Sequence, residues 1–129
     1  MNLTKYQASL DEFREATLRL AEVLREQKSS IVRDSAIKRF EMGFDLAWKT
    51  LKSRLEEDGI ICTSPAGCFR EGFRQGFIEL EDPWIELTKV RNQTVHTYDE
   101  ELAEDTYKKL PKALETFQKL LTALESKQK

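Results

Sequence analysis

The sequence predicts an all-α protein, an up-and-down four-helix bundle with one additional short helix. Hydrophobic residues recur at alternating spacings of three and four, the pattern of helices that pack side by side. Only five glycines and three prolines occur among 129 residues, and no stretch alternates apolar and polar residues as a half-buried strand does. The 40% hydrophobic and 34% charged residues are typical of a folded helical protein. We therefore expect one helical domain over residues 1–129.

The first helix is predicted over residues 3–27, followed by a polar connector of Lys28, Ser29 and Ser30. The second helix is predicted over residues 32–57, and Gly59 is a natural residue to end it. The apolar seams of the two helices are Tyr6, Leu10, Phe13, Thr17, Leu20 and Leu24 in the first, and Ala36, Phe40, Phe44, Ala47, Leu51 and Leu55 in the second.

A second apolar stripe on the second helix consists of Ile37, Leu46 and Trp48. A helix that is apolar on more than one side is either buried at the centre of the bundle or serves both an internal core and a partner. Most of these positions fit a helix that is buried at the centre of the bundle. The second apolar stripe leads us to expect a partner as well.

The third helix is short and begins after Ser64, a capping residue followed by Pro65 at the first helical position. Its apolar residues are expected to form an aromatic ridge along one face: Phe69, Phe73 and Phe77. Gly72 and Gly76 lie on another face, where a neighbouring backbone can approach closely.

The fourth helix is predicted to open at Asp82 and Pro83, which repeat the cap-plus-proline signal, and to continue into residues 91–96. Thr97 or Asp99 then caps the last helix. The seam predicted for this last helix is Leu102, Tyr107, Leu110, Leu114, Phe117, Leu121 and Leu124.

Pro111 lies inside the predicted last helix and is expected to kink it, because proline cannot donate to the carbonyl four residues earlier. Residues 126–129 are polar and are expected to fray.

The net charge of −2 excludes a protein that coats nucleic acid non-specifically, so any contact with a nucleotide or RNA must be a local site. No apolar run approaches the length of a membrane span, and residues 1–5 contain no apolar signal core. We expect a cytoplasmic protein that does not enter a membrane. Cys62 and Cys68 fit no zinc-binding spacing, so we expect free thiols, no metal site and no cofactor.

Residues 91–98 contain the chemistry-bearing side chains of the chain. Arg91, Asn92, His96 and Tyr98 fall within two helical turns, and His96 is the only histidine. On an α-helix, Asn92 and His96 share a face, while Arg91 and His96 flank one groove. An imidazole that exchanges a proton near neutral pH, beside a permanently charged guanidinium, is suited to chemistry at a phosphodiester. The simpler interpretation is a histidine that caps a helix end, with Arg91 and Tyr98 as packing residues.

Arg91, Asn92, His96 and Tyr98 together resemble the Arg-x4-His-x-Tyr motif of the HEPN superfamily, and within it the HepT-type proteins, also called nucleotidyltransferase substrate-binding proteins. Residues 33–41 and 46–49 are similar to the second helix of that family. So are Ser64 and Pro65 with the phenylalanines that follow them. The resemblance covers nearly the whole chain.

The resemblance implies a dimeric helical bundle with the Arg–His motif in a cleft between subunits. It also implies a partner, a small MNT-type nucleotidyltransferase, and the role of ribonuclease toxin in a toxin–antitoxin pair. In such pairs the partner can silence the toxin by adding AMP to the motif tyrosine, which corresponds here to Tyr98.

Metal-independent RNA cleavage needs a base, stabilisation of charge on the phosphorane, and an acid for the leaving oxygen. His96 is the candidate base or acid, Arg91 the phosphate clamp, and Asn92 an orienting hydrogen-bond partner. Tyr98 would contact phosphate and be the modified residue. One histidine cannot easily be both base and acid, so a symmetric homodimer with RNA or a nucleotide in the cleft is attractive.

Two alternatives remain open. The first is a non-catalytic subunit that presents a nucleotide or other substrate to a separate nucleotidyltransferase through the same cleft. The second, a purely structural helical dimer, would explain the seams and leave the motif without a role.

Overall fold

The computed structural model of the chain describes residues 2–126. The helices within that range are α1 (Lys5–Leu24), α2 (Ser30–Glu57), α3 (Pro65–Arg74), α4 (Asp82–Gln93) and α5 (Glu100–Ser126). A single 3₁₀ turn, Thr94–His96, lies between α4 and α5, and residues 2–126 contain no strand. The predicted all-α bundle is confirmed. Of the residues expected to fray, Ser126 still belongs to α5, and residues 127–129 lie outside the described residues.

The helix starts follow from side chains that accept hydrogen bonds from the first backbone N–H groups. Thr4 and Gln7 form a reciprocal capping box, so α1 begins at Lys5 and not at residue 3. Ser29 and Ser64 cap α2 and α3, and Asp99 Oδ1 accepts from Leu102 N at 3.2 Å. The alternative cap at Thr97 is therefore wrong.

Three further predicted helix boundaries differ from the structure. Helix α2 begins at Ser30 and not at residue 32, because Ser29 caps it. Helix α1 ends at Leu24 rather than at residue 27, because the N–H groups of Arg25 and Glu26 turn back onto carbonyls three residues earlier. Asp82 does not cap α4: it is already helical, and Glu81 before it has helical dihedral angles and no side-chain capping bond. Gly59 lies beyond the end of α2 with a φ of 77°, as predicted.

Helix α2 lies at the centre and contacts each of the other four helices. The seams predicted for α1 and α2 are confirmed: every member is buried except Leu24, which is half-buried. The core is aromatic. Phe117 of α5 stacks on Phe40 of α2 with ring centroids 5.9 Å apart, and it also contacts Phe13 and Trp84. Ile37 is buried in this core, while Leu46 and Trp48 are half-buried at its edge, so the second stripe is largely internal.

The buried seam of α5 differs in part from the prediction. Leu110, Phe117 and Leu124 are buried as expected, but the other predicted members are only half-buried. The residues that complete the seam are Ala103, Thr106, Ala113, Thr116 and Leu120. Small and hydroxylated side chains carry a weak hydrophobic signal, and they let α5 approach its neighbours closely. Pro111 lies within α5 without ending it, and the predicted kink stays a prediction.

The predicted aromatic ridge of α3 does not form. Phe69 is buried against Trp84, but Phe73 is 43% exposed and Phe77 lies beyond the helix end at Arg74. The chain turns at Gly76, where φ is 82°, and so Phe77 returns to the core on a different path. At Gly72 a side chain and not the predicted backbone approaches closely, since a Cβ there would lie 2.7 Å from Leu51 Cδ2.

Cys62 and Cys68 form a disulfide, so the expectation of free thiols was wrong. Cys62 lies in the connector before α3 and Cys68 in its first turns, with Cα atoms 5.2 Å apart. The cap at Ser64 turns the connector into the helix and brings the two residues within bonding range. Among residues 2–126, none of the helices is long and apolar enough to span a membrane.

We predict that Gly43→Ala destabilises the protein although alanine favours a helix over glycine by about 1 kcal/mol. A Cβ at this position of α2 would lie 2.6 Å from Phe117 Cε2, and that ring is fully buried between aromatic neighbours. Overpacking should lower the free energy of unfolding by about 1–3 kcal/mol in urea titrations.

The double variant Gly43→Ala/Phe117→Leu is the control. It should lose less stability than the sum of the two single variants, because the smaller leucine gives the new methyl group room. An increase in stability for Gly43→Ala alone would contradict the close contact.

Candidate functional site

The candidate site lies where the chain passes from α4 to α5. Arg91 is in the last turn of α4, His96 ends the 3₁₀ turn, and Tyr98 comes two residues before α5. Buried Thr94 donates from Oγ1 to the Arg91 carbonyl at 2.7 Å, and Thr97 Oγ1 donates to the Thr94 carbonyl at 2.9 Å. These local bonds favour the tighter turn over an α-helix.

The fourth helix therefore does not continue to residue 96 as predicted, since it ends at Gln93. A 3₁₀ turn has three residues per turn, so the angles expected for an α-helix between Arg91, Asn92 and His96 no longer apply. Asn92 is exposed, and within residues 2–126 its side chain makes no hydrogen bond. The structure does not bring Asn92 onto His96.

The guanidinium of Arg91 is held by α2. Its Nε and Nη2 donate to the two carboxylate oxygens of Asp45, each at 3.2 Å, and Nη1 donates to Thr94 Oγ1 at 3.0 Å. Glu41 Oε2 lies 3.3 Å from Nη1. Asp45, chiefly through its hydrogen bonds, and the negative charge of Glu41 raise the pKa of Arg91. Hydrogen bonds thus engage three of the five N–H groups, and one of the two that remain is on Nη1, beside Glu41.

The rings of His96 and Tyr98 both face away from the core. Tyr98 is 84% exposed, and the two rings meet edge to face with centroids 6.1 Å apart. In the part of the chain that the structure describes, this ring contact is the one side-chain interaction of His96. Its ring nitrogens are accordingly available to a substrate.

The four residues lie at the surface of the single chain, and none of them lines either of two cavities beside its tryptophans. A cavity of about 570 Å³ lies between α1 and α2 beside Trp48. Another of about 430 Å³ lies between α5 and the connector before α4, beside Trp84. A deep site around His96 would need a second wall from another molecule.

Glu41, Asp45 and Thr94 also belong to the site, and none of them was predicted from the sequence. Glu41 and Asp45 are four residues apart on α2 and therefore share a face, but that spacing does not reveal that the face meets α4. The sequence does not indicate that Thr94 belongs to the site, because a threonine in a polar stretch can be either buried or exposed.

The fold and the site define a helical-bundle protein that presents arginine, histidine and tyrosine on the turn between its last two helices. The chain belongs to the family described as nucleotidyltransferase substrate binding protein like, whose family model matches residues 1–126.

Three known proteins are similar to the chain. The Haemophilus influenzae protein named probable ribonuclease HepT is 35% identical over 92 residues, which cover 64% of this chain and 62% of that protein. A crystal structure from Thermus thermophilus has a TM-score of 0.81 and 33% identity, and covers 87% of this chain and 98% of the other.

The third is the structure of HI0074 from Haemophilus influenzae, described as revealing the fold of a substrate binding domain of a nucleotidyltransferase. It matches with a TM-score of 0.69 and 26% identity, over 96% of this chain and 99% of the other. The matches to the two solved structures thus extend over nearly all of both chains.

We predict a measurable coupling between Arg91 and Asp45 in a double-mutant cycle. Both side chains are partly exposed, so solvent screens the pair and the coupling free energy should be about 0.5–1.5 kcal/mol. Arg91→Gln, Asp45→Asn and their combination would be compared by urea unfolding.

Glu115 and Lys119 provide the matched control. They form an exposed ion pair at 4.0 Å within one helix, and their coupling should be close to zero. Equal coupling in the two cycles would mean that the bidentate geometry at Arg91 has no energetic importance.

Proposed function

We propose that the chain is a HepT-like HEPN protein, a metal-independent endoribonuclease that acts as a homodimer. The observation that carries the proposal is the exposed imidazole of His96, five residues from a guanidinium that α2 holds in place. The similarity to a protein named probable ribonuclease HepT supports it.

In the proposed reaction, His96 of one subunit takes the proton from a ribose 2′-hydroxyl. The 2′-oxygen forms a bond to phosphorus, the bond from phosphorus to the 5′-oxygen breaks, and an acid protonates that oxygen. The products are a 2′,3′-cyclic phosphate and a 5′-hydroxyl. Arg91 stabilises the charge on the phosphorane through its two remaining N–H groups. Asn92 would orient the RNA rather than His96, because it does not contact the imidazole.

A homodimer would add a second histidine and a second wall to the site of a single chain. One chain has one histidine and presents it on an open surface. A two-fold axis close to residues 91–98 would place a second His96 opposite the first, so that one acts as base and the other as acid. The same arrangement would form the walls of an RNA-binding cleft and exclude water from it.

The partner we propose is a small MNT-type nucleotidyltransferase that neutralises the toxin of a cytoplasmic toxin–antitoxin pair. The family description and the description of the Haemophilus influenzae structure both connect such bundles with nucleotidyltransferases. Tyr98 is the candidate acceptor of AMP, because its side chain is 84% exposed. An AMP phosphate beside Arg91 would occupy the space an RNA phosphate needs.

A second candidate function is a non-catalytic subunit that presents a nucleotide or other substrate to the nucleotidyltransferase. One observation favours it: Asp45 and Glu41 already compensate the charge of Arg91, which weakens its attraction for a polyanion. A subunit of this kind would bind a nucleotide without cleaving RNA.

We predict that the purified protein cleaves RNA in excess chelator and leaves cyclic or 3′-phosphate ends. His96→Ala and Arg91→Ala should each reduce the rate by at least about 100-fold, the scale of an acid–base or electrostatic residue. Gln93→Ala is the matched control, since Gln93 is exposed between the two residues and outside the proposed machinery. Expression of the wild-type chain alone should arrest growth.

The cleaving species should have the mass of a dimer in light scattering at micromolar concentration, and a monomer would contradict the shared cleft. Cleavage by His96→Ala at the wild-type rate would exclude His96 as the catalytic residue. If wild-type protein cleaves no RNA and binds nucleotide, the substrate-binding function replaces the ribonuclease.

We predict that co-expression with a cognate nucleotidyltransferase adds AMP to Tyr98. Intact-mass spectrometry should show increments of one AMP, and Tyr98→Phe should remove them. Tyr107, which is half-buried on α5, is the matched control, and Tyr107→Phe should keep the modification. A silenced complex with unmodified Tyr98 would mean that the partner inhibits by covering the site.

A further inference from the structure

Arg33 of α2 is the most buried charged side chain that the structure describes outside the candidate site, with 5% of its surface exposed. Its Nη1 and Nη2 donate to the two carboxylate oxygens of Glu100, at 2.7 and 3.1 Å. Glu100 is the first residue of α5 and comes two residues after Tyr98. The side chain of Arg33 thus ties α2 to the end of the segment that carries His96 and Tyr98.

The other end of that segment is tied to the same helix by the pair of Arg91 with Asp45. Residues 91–100 therefore run between two bidentate guanidinium–carboxylate pairs whose α2 members are twelve residues apart, about 18 Å along the helix axis. One pair uses an arginine from the segment, and the other an arginine from α2.

Little else holds the rings of His96 and Tyr98. Between the two pairs, the segment is stabilised by one-turn hydrogen bonds, such as Asp99 N to the His96 carbonyl at 3.0 Å, and the two rings contact mainly each other. The other partners of Arg33 do not restrain the segment directly, because Asp34 is on α2 itself and Glu104 is one turn into α5, 3.9 Å from Nη1.

We propose that Arg33 is a positioning residue, which through Glu100 fixes where His96 and Tyr98 stand relative to Arg91. The effect of Arg33 on the positions of His96 and Tyr98 does not depend on any reaction. The effect of Arg33 on catalysis rests on the proposed ribonuclease function. The hydrogen bonds from Arg33, and then its positive charge, lower the pKa of Glu100. Loss of the pair would free the turn between His96 and α5 while the core below it stays intact.

The test compares Glu100→Gln with Glu101→Gln. Both variants remove one carboxylate from the first turn of α5, but only Glu100 binds Arg33, and Glu101 makes no ion pair within residues 2–126. His96 is the only histidine, so its imidazole gives one assignable set of ring signals in a ¹H–¹³C NMR spectrum of the full chain. Glu100→Gln should shift or broaden those signals, and should speed amide exchange at Asp99 and Ala103 by about fivefold. Glu101→Gln should change neither.

The same two variants separate positioning from general stability. If the protein cleaves RNA, Glu100→Gln should lower kcat by about tenfold with KM within about twofold, because a displaced imidazole still permits binding. Arg33→Lys should have a similar but smaller effect on the His96 signals, since lysine keeps the charge and loses the fork.

Equal His96 signals and equal amide exchange in Glu100→Gln and Glu101→Gln would overturn the proposal, whether or not the wild type cleaves RNA. So would a lower unfolding temperature for Glu100→Gln without any change at His96, which would show a structural pair only. If Arg33→Lys fails to fold, the Glu100→Gln comparison still decides, because Glu100 is exposed at the surface.

Discussion

The contact of the Phe117 ring with the backbone of Gly43 sets how closely α5 approaches α2, and the rest of the structure depends on that distance. A side chain at position 43 would separate the two helices. A wider separation would also disturb the contact at the start of α5, where Arg33 of α2 binds the first residue of that helix. The aromatic core and the position of the candidate site are therefore two consequences of one close helix pair.

The sequence predicted the elements whose burial depends on large apolar side chains. The seams of α1 and α2 are mainly phenylalanine and leucine at regular spacing, and almost all of them are buried. In α5 half of the buried seam is alanine or threonine, which hydropathy does not distinguish from solvent-facing residues. The aromatic ridge of α3 failed for a backbone reason, because the turn at Gly76 redirects the chain before Phe77.

The sequence indicates three chemistry-bearing side chains of the candidate site, but neither the residues around them nor their arrangement. Arg91, His96 and Tyr98 are recognisable by residue type and spacing. Their recognition rests on the resemblance to a family motif more than on physical reasoning from the residues. Their arrangement depends on tertiary contacts that a local pattern does not contain. Thr94 tightens the turn by bonding the backbone, and Asp45 meets Arg91 from 46 residues away. The disulfide was not predicted for a similar reason. The spacing of the two cysteines does not reveal that the connector and α3 bring them close together.

Two carboxylates beside Arg91 change what this arginine can contribute. A guanidinium without such partners would attract a phosphate more strongly, but its side chain would lose rotamer freedom on binding the phosphate. Arg91 is already ordered by Asp45, so it needs no further ordering when a phosphate arrives, but its net attraction is smaller. In the proposed ribonuclease reaction, such a residue would favour the phosphorane, which carries more charge than the substrate, over the ground state. In the proposed regulation, the same compensation would let one added phosphate group on Tyr98 suffice, because the site has little positive charge to overcome.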